Sequence, residues 1–264
     1  MTQNFKDAQN VETKDQKQYH LPARPGDVAD LILLVGDPDR CDEVATHFSS
    51  IRYQDEHREL CVRSGDYKGV DISVVSTGMG DGSTEICVVE LCKIVKTPTF
   101  LRCGTCGILD PDIGLGDLII TSGALRLSNT MDYYVPPTYP SIADLDVQQA
   151  LIQSAKKHKI HYHHGLTATA PGFYSPQSRK IEGFPVEQPD LPEKLGRLGV
   201  LNLEMEAATI LTLASLRKAR AGAICAGIAS RPQNQFFDSE NIAKAVQKTI
   251  VVALDALHSL HQNT

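Results

Sequence analysis

The sequence predicts a single α/β domain with a central mixed, mostly parallel, twisted sheet flanked by helices. Three observations carry this. Apolar runs of strand length alternate with helical stretches throughout the 264 residues. Two of those runs, Leu31–Val35 and Ala221–Ser230, are nearly continuous, as expected of strands buried on both faces. Chemistry-bearing side chains also recur where strands end, the place α/β sheets reserve for ligands. There is no internal repeat and no linker-like composition, so residues 19–264 read as one domain behind a polar tail at 1–18.

Taken in order, the Leu31–Val35 strand runs into Gly36-Asp37-Pro38-Asp39-Arg40, and a helix is expected over 42–48. A strand ending in a tight turn before a helix presents backbone N–H groups to an anion, and Arg40 adds a fork suited to phosphate. The competing reading is a plain turn and cap, with Asp37 or Asp39 satisfying the helix terminus. Glu56–Leu60 alternates in charge and reads as a solvated face. Asp71–Thr77 is the next strand. It ends in Gly78-Met79-Gly80-Asp81-Gly82-Ser83 before a helix over 84–95. The spacing is not G-x-G-x-x-G, and no acidic residue follows about twenty positions on, so a dinucleotide site is rejected.

Phe100–Gly107 is a further strand end, in which Arg102 is costly to bury unless it is paired or meets an anion. Cys103 and Cys106 have neither a second pair for zinc nor a helix to open, so metal or redox chemistry is not expected there. A strand at 116–124, a Tyr- and Pro-rich loop at 128–140 and a helix at 146–158 follow. His158, His161, His163 and His164 lack cysteine or carboxylate at ligand spacing and read as a surface strand. After a strand at 166–170, Phe173, Gln177 and Arg179 share a loop and together suit a flat heterocycle. The competing reading is an ordinary proline-rich loop. Val200–Leu203 is a short strand. Glu204-Met205-Glu206 opens a helix at 207–216, and at least one of these acids is expected to be buried. The 221–230 strand exits at Arg231. The closing helix, at 242–260, places Ile242, Val246, Ile250, Leu254 and Leu257 on one face.

A net charge of −6 argues against a nucleic-acid or anionic-membrane partner. The first eighteen residues contain no apolar h-region, no run approaches membrane-spanning length, and seven scattered cysteines are no secreted disulfide framework. A cytoplasmic protein is expected.

In order and at fitting intervals, Gly36–Arg40, His57-Arg58-Glu59, Ser76–Gly80, Arg102–Gly107, Phe173 with Gln177-Ser178-Arg179, and Glu204-Met205-Glu206 resemble the nucleoside phosphorylase-I family, within it the uridine-cleaving bacterial branch. The resemblance runs from about Tyr19 to the last helix. It implies pentosyl transfer from uridine to phosphate, giving uracil and ribose 1-phosphate, a salvage reaction. Gly36, Arg40, Arg102 and Thr105 would bind phosphate, joined by Arg58 from a neighbouring subunit. Glu206, Met205 and Thr105 would hold the ribose, with His20 of the neighbour on its 5′-hydroxyl. Phe173, Gln177, Arg179 and Gly107 would meet the base, and Arg179 with Arg231 would stabilise it as it leaves. The family chemistry needs no cofactor beyond phosphate as co-substrate. Glu59, Met79 (through its carbonyl) and Ser83 match positions that hold a monovalent cation, typically potassium, at a dimer interface within a hexamer.

Purine-cleaving relatives carry an acid shortly after the last core strand, whereas here Ala229-Ser230-Arg231-Pro232 is followed by none until Asp238. The alternatives are a purine nucleoside phosphorylase on the same fold, a nucleosidase that uses water in place of phosphate, and a nucleoside-binding protein without catalysis. Three departures from the family pattern touch loop shape and base fit: Asp81-Gly82 in the glycine turn, Cys106 beside the base, and Ala229-Ser230. Asp81 is expected to bring negative charge near the phosphate loop.

Overall fold

Strand β1 (Leu31–Val35) is buried along its whole length and feeds both faces of the sheet. Leu31, Leu33 and Val35 enter one apolar cluster, and Ile32 and Leu34 enter another on the opposite face. Side chains alternate across a strand, so an unbroken apolar run is what such double burial requires. The chain is described by a computed structural model, which covers Val11, Thr13 and residues 15–262.

Helix α1 (Pro38–Ala45) follows, then β2 (Ser50–His57), β3 (Leu60–Tyr67), β4 (Val70–Ser76) and α2 (Asp81–Ile94). β5 (Thr99–Ile108), β6 (Leu118–Arg126), the short β7 (Ser141–Ile142), α3 (Leu145–Lys157) and β8 (Tyr162–Thr169) come next. α4 (Leu191–Arg197), β9 (Val200–Glu204), α5 (Ala207–Leu216), β10 (Arg220–Ser230), β11 (Gln235–Phe236) and α6 (Ser239–Gln262) complete the chain. Helices α1, α3 and α6 pack on the β1 face that carries Leu33, and α2 and α5 on the face that carries Leu34.

The sheet is mixed. β4, β1, β5 and β10 are successive parallel neighbours, and β6, β8 and β9 form a second parallel group. Antiparallel ladders β10–β6 and β9–β5 join the two groups, so β5, β10, β6, β8 and β9 close into a ring. The expected parallel character holds for these two groups. The antiparallel run β2–β3–β4 departs from it, because its short connections can only turn the chain back on itself.

Several boundaries differ from expectation. α1 begins at Pro38, ahead of the expected Asp42, because proline is well suited to the first helical position, where no N–H is needed. β5 takes in the whole Phe100–Gly107 stretch and runs one residue past it at each end, with Arg102 inside the strand as expected. Glu56 to Glu59 are exposed, as expected of a solvated face, and form the end of the β2–β3 hairpin, with Arg58 at φ 56° in its turn. Of the polar tail, residues 1–10, 12 and 14 lie outside the described residues. Gln18 is already buried, its N–H donating to the Ala23 carbonyl, and Lys17 pairs with Asp55 at 2.5 Å.

On the α6 side, buried Asp255 accepts hydrogen bonds from Tyr67 (2.8 Å), Lys68 (2.5 Å), Lys157 (3.1 Å) and His158 (2.9 Å). Burial pushes its carboxyl up, and these partners outweigh that and hold it well below the usual range. A lowered native pKa stabilises the fold fully above the unfolded value of about 4, and that contribution fades as pH falls through the native value. Asp255→Asn is therefore expected to lower stability near pH 6 and to flatten the fall in stability below pH 4. Urea unfolding at several pH values checks it.

Candidate active site

At the carboxyl ends of β1, β5, β9 and β10 a cavity of about 460 Å³ opens. Gly36 and Arg40 line it from the β1–α1 turn, and Arg102, Thr105, Cys106 and Gly107 line it from β5. Met205 and Glu206 come from the β9–α5 junction, and Phe173, Gln177 and Arg179 from the loop after β8. Met79 lies at its edge, 82% exposed.

Arg102 is the electrostatic centre. Its Nη2 lies 2.5 Å from Glu206 Oε2 and its Nε 2.8 Å from Glu204 Oε2, with all three side chains buried. The Nε hydrogen is not aimed at the Glu204 oxygen, so that contact is an ion pair without a directed hydrogen bond. Two carboxylates beside one guanidinium hold Arg102 firmly in its charged form despite burial. Gly104 makes room for this: a Cβ there would stand 2.8 Å from Arg102 Nη2.

Glu204 is tied down on every side. Its Oε2 accepts from the backbone N–H groups of Glu206 and Ala207, each at 2.8 Å, and its Oε1 accepts from the Thr169 hydroxyl at 2.5 Å. It thereby satisfies free N–H groups at the start of α5. Glu206 is held differently. Oε1 accepts from Gly80 N–H at 2.6 Å and Oε2 stands in an ion pair with Arg102 Nη2, while burial pushes its carboxyl up. A carboxylate has about four lone-pair sites. Two are used here, which leaves two for a diol.

The turn after β1 caps α1 in the plain way: Asp37 Oδ1 accepts from Asp39 N–H at 3.1 Å and the Asp37 carbonyl from Arg40 N–H at 3.1 Å. Positive charge here therefore comes from the Arg40 and Arg102 side chains. Across the cavity, Arg179 Nη1 donates to the Phe173 carbonyl (2.6 Å) and to Gln177 Oε1 (2.7 Å), and its guanidinium lies 3.7 Å over the Phe173 ring. Gln177 is buried, and its amide nitrogen donates to the Gly172 carbonyl at 3.0 Å. That leaves the amide one N–H and one lone pair free for a ligand. Burial, and then the nearby charge of Arg231, lower the Arg179 pKa to about 10, so it stays protonated at neutral pH.

The other expected residues lie outside this cavity. Arg231 lines a neighbouring cleft and donates to the Ser178 carbonyl at 3.4 Å, beside the Arg179 loop. Arg58 stands exposed at the β2–β3 turn. His20 is half-buried, its Nδ1 2.8 Å from Glu90. Glu59 and Ser83 meet, the hydroxyl donating to Glu59 Oε1 at 2.9 Å beside Gly78.

Asp81 corrects an expectation. It turns away from the cavity and buries against α5, accepting from the Thr209 hydroxyl at 2.9 Å, and burial pushes its carboxyl up. Cys106 lines the cavity while Cys103, an odd number of residues away on the strand, packs in the opposite core. Burial keeps the Cys106 thiol protonated. Sequence reasoning missed Phe236, an exposed aromatic at the cavity mouth; an aromatic pair in a polar stretch after Arg231 was the available signal. It also missed the pairing of Glu204 with Arg102.

Comparison with known proteins places this architecture. A uridine phosphorylase from Thermococcus kodakarensis is 43% identical over 238 residues, 89% of this chain and 86% of that protein. A guanosine phosphorylase from Halorubrum lacusprofundi is 32% identical over 251 residues, 92% of this chain and 99% of its own. Among solved structures, a Trypanosoma brucei nucleoside phosphorylase described as showing uridine phosphorylase activity superposes with a TM-score of 0.90 at 27% identity, covering 94% of this chain and 99% of its own. Residues 30–258 match the family model described as the phosphorylase superfamily. With the match covering most of the sequence and a near-complete structural counterpart, the chain belongs to the phosphorylase superfamily, among its nucleoside phosphorylases.

Proposed function

We propose that this chain is a uridine phosphorylase, transferring the pentosyl group of uridine to inorganic phosphate and releasing uracil and ribose 1-phosphate. The observation that carries this is that one cavity is lined by the Arg40 and Arg102 guanidinium groups, by the Glu206 carboxylate, and by Gln177, Arg179 and Phe173. Arg102 and Gly107 are five residues apart on β5, about 16 Å at strand rise, which is room for a phosphate and a nucleoside in line.

Cleavage of the glycosidic bond develops positive charge on the sugar and negative charge on the base. Arg40 and Arg102 would orient phosphate for attack, with Gly36 and Thr105 completing its cradle. Glu206 would accept the ribose 2′- and 3′-hydroxyls through its two free lone-pair sites, with Met205 against the sugar. The free amide groups of Gln177 would read the uracil edge, the open face of Phe173 would stack on it, and Arg179, backed by Arg231, would take up the charge of the departing base. The acids lining the cavity are Asp37, Glu204 and Glu206, and the Ile228–Ala229 segment brings none to the base. That favours a pyrimidine leaving group. The guanosine-cleaving relative supports purine cleavage as the second reading.

His20 and Arg58 do not line their own chain's cavity, which supports sites completed by a neighbour in a homo-oligomer, a hexamer on the family pattern. Glu59 and Ser83, which meet at 2.9 Å, would with the Met79 carbonyl supply oxygen donors of the kind a hard monovalent cation such as potassium takes, which would neutralise the Glu59 charge at that interface. No described helix is long and apolar enough to cross a membrane, and all seven cysteines are unpaired, which supports a cytoplasmic setting.

The test is base release from uridine with and without phosphate, with inosine and guanosine alongside. Phosphate-dependent uracil release is expected; a preference for either purine nucleoside would establish the second reading. Arg179→Ala should lower kcat/KM for uridine about 10²-fold, the equivalent of one or two charge-assisted hydrogen bonds, and leave the KM for phosphate nearly unchanged. Equal damage to both would remove Arg179 from base recognition.

A further inference from the structure

The histidine-rich segment that the proposed reaction leaves unused has a carboxylate after all. Asp117, just before β6, places Oδ2 2.9 Å from His161 Nδ1 and 3.0 Å from His163 Nε2. It is the group of three ligand-type side chains among the described residues whose donor atoms lie within 4.8 Å of one another. β6 and β8 are parallel neighbours with Leu118 opposite Tyr162, which brings Asp117 beside the start of β8. His161 and His163 are two apart and so project on the same side of that strand.

We propose that Asp117, His161 and His163 form a binding site for a divalent transition metal such as zinc. Two imidazoles and a carboxylate are the donor set such ions accept, with solvent at the remaining position. Donors about 2.0–2.1 Å from a tetrahedral ion stand roughly 3.3 Å apart. The two contacts to Asp117 Oδ2 are already close to that span, so an ion could enter with small side-chain shifts. Asp117 is preset: Gly114 N–H donates to its Oδ2 at 3.0 Å, and its backbone carbonyl accepts from Gly227 N–H at 3.0 Å. Asp117 and His163 are half-buried while His161 is 73% exposed, which gives the ion two sheltered ligands and a route in. None of the three lines the nucleoside cavity, but the Gly227 contact leads directly to Ile228 and Ala229 in its wall. An ion here would clasp β6 to β8 behind that wall.

The experiment is calorimetric titration of the full chain, made without a polyhistidine tag, with Zn²⁺ in a phosphate-free buffer at pH 7.5. Co²⁺ absorption in the visible reports the ligand set. One equivalent of Zn²⁺ per chain is expected, with Co²⁺ bands typical of nitrogen and oxygen donors. His161→Asn alters an exposed side chain and should keep the fold, yet weaken binding by more than the roughly 10–100-fold that loss of an outer partner costs. His163→Asn should do the same. Binding that is absent, or that persists undiminished in His161→Asn, would overturn the proposal: the cluster would then be a carboxylate paired with two imidazoles. Co²⁺ bands of thiolate type would assign any bound ion to the cysteines instead.

Discussion

Arg102→Ala is expected to lower phosphate-dependent cleavage of uridine by at least about 10²–10³-fold, the range for removing one preorganised charged donor. It should also destabilise the fold, by about 3–5 kcal/mol, because it strands buried charge. In the native chain one guanidinium faces two buried carboxylates, Glu204 and Glu206. Without it they face each other, with burial already pushing Glu206 up. Both effects raise the native carboxyl pKa above the unfolded value of about 4.3. The sign follows: the folded variant binds protons more tightly than the unfolded chain, so its deficit is full at neutral pH and shrinks as pH falls through the raised native value. Urea unfolding of wild type and variant at pH 5 and pH 7.5 should show the gap narrowing at pH 5. Arg102→Lys restores a charge without the fork, so it should recover part of the stability and little of the activity. Wild-type turnover in either variant would remove phosphate from Arg102; a gap independent of pH would mean that Glu204 and Glu206 are not its cause.

That coupling marks the limit of what the sequence disclosed. β1 and β10 were legible because burial on both faces demands an unbroken apolar run, and α5 and β9 matched to within a residue. β2 was not: as an outer strand it is polar and largely exposed from Ser50 to His57, with no alternation to mark it. The start of α1 at Pro38 was masked because a proline's fixed φ suits a turn as well as the first position of a helix. Arg102, Glu204 and Glu206 each stood out as charges among apolar residues. That all three meet depends on the β5–β9 pairing, in which Gly107 lies opposite Leu203, and no local pattern encodes that. Asp117 escaped notice for the same reason, lying 44 residues from His161 and one strand away in space. Asp81 shows the converse: it was legible as an unusual charge, but its direction was settled by Thr209 on a distant helix.

Glu206→Gln should separate sugar recognition from both phosphate binding and folding. The amide is nearly isosteric and keeps an oxygen for Gly80 N–H; its NH2 then faces the Arg102 guanidinium, a donor against a donor, and relief of the like charge beside Glu204 offsets that, so stability should change little. Phosphate should bind at least as well, because Arg102 then faces one carboxylate instead of two. The loss falls on the ribose. A hydrogen bond to a charged group contributes about 1.5–3 kcal/mol, so weakening two of them should lower kcat/KM for uridine about 10²–10⁴-fold. 2′-Deoxyuridine forms one of these bonds rather than two and should lose less, narrowing the preference for uridine about 10–100-fold. Steady-state kinetics with both nucleosides, over a range of phosphate concentrations, checks each part. If the variant lost uridine and deoxyuridine activity equally and its phosphate KM rose, Glu206 would be acting through Arg102 and not on the sugar. Urea unfolding of the variant beside the wild type tells such a result apart from loss of the fold.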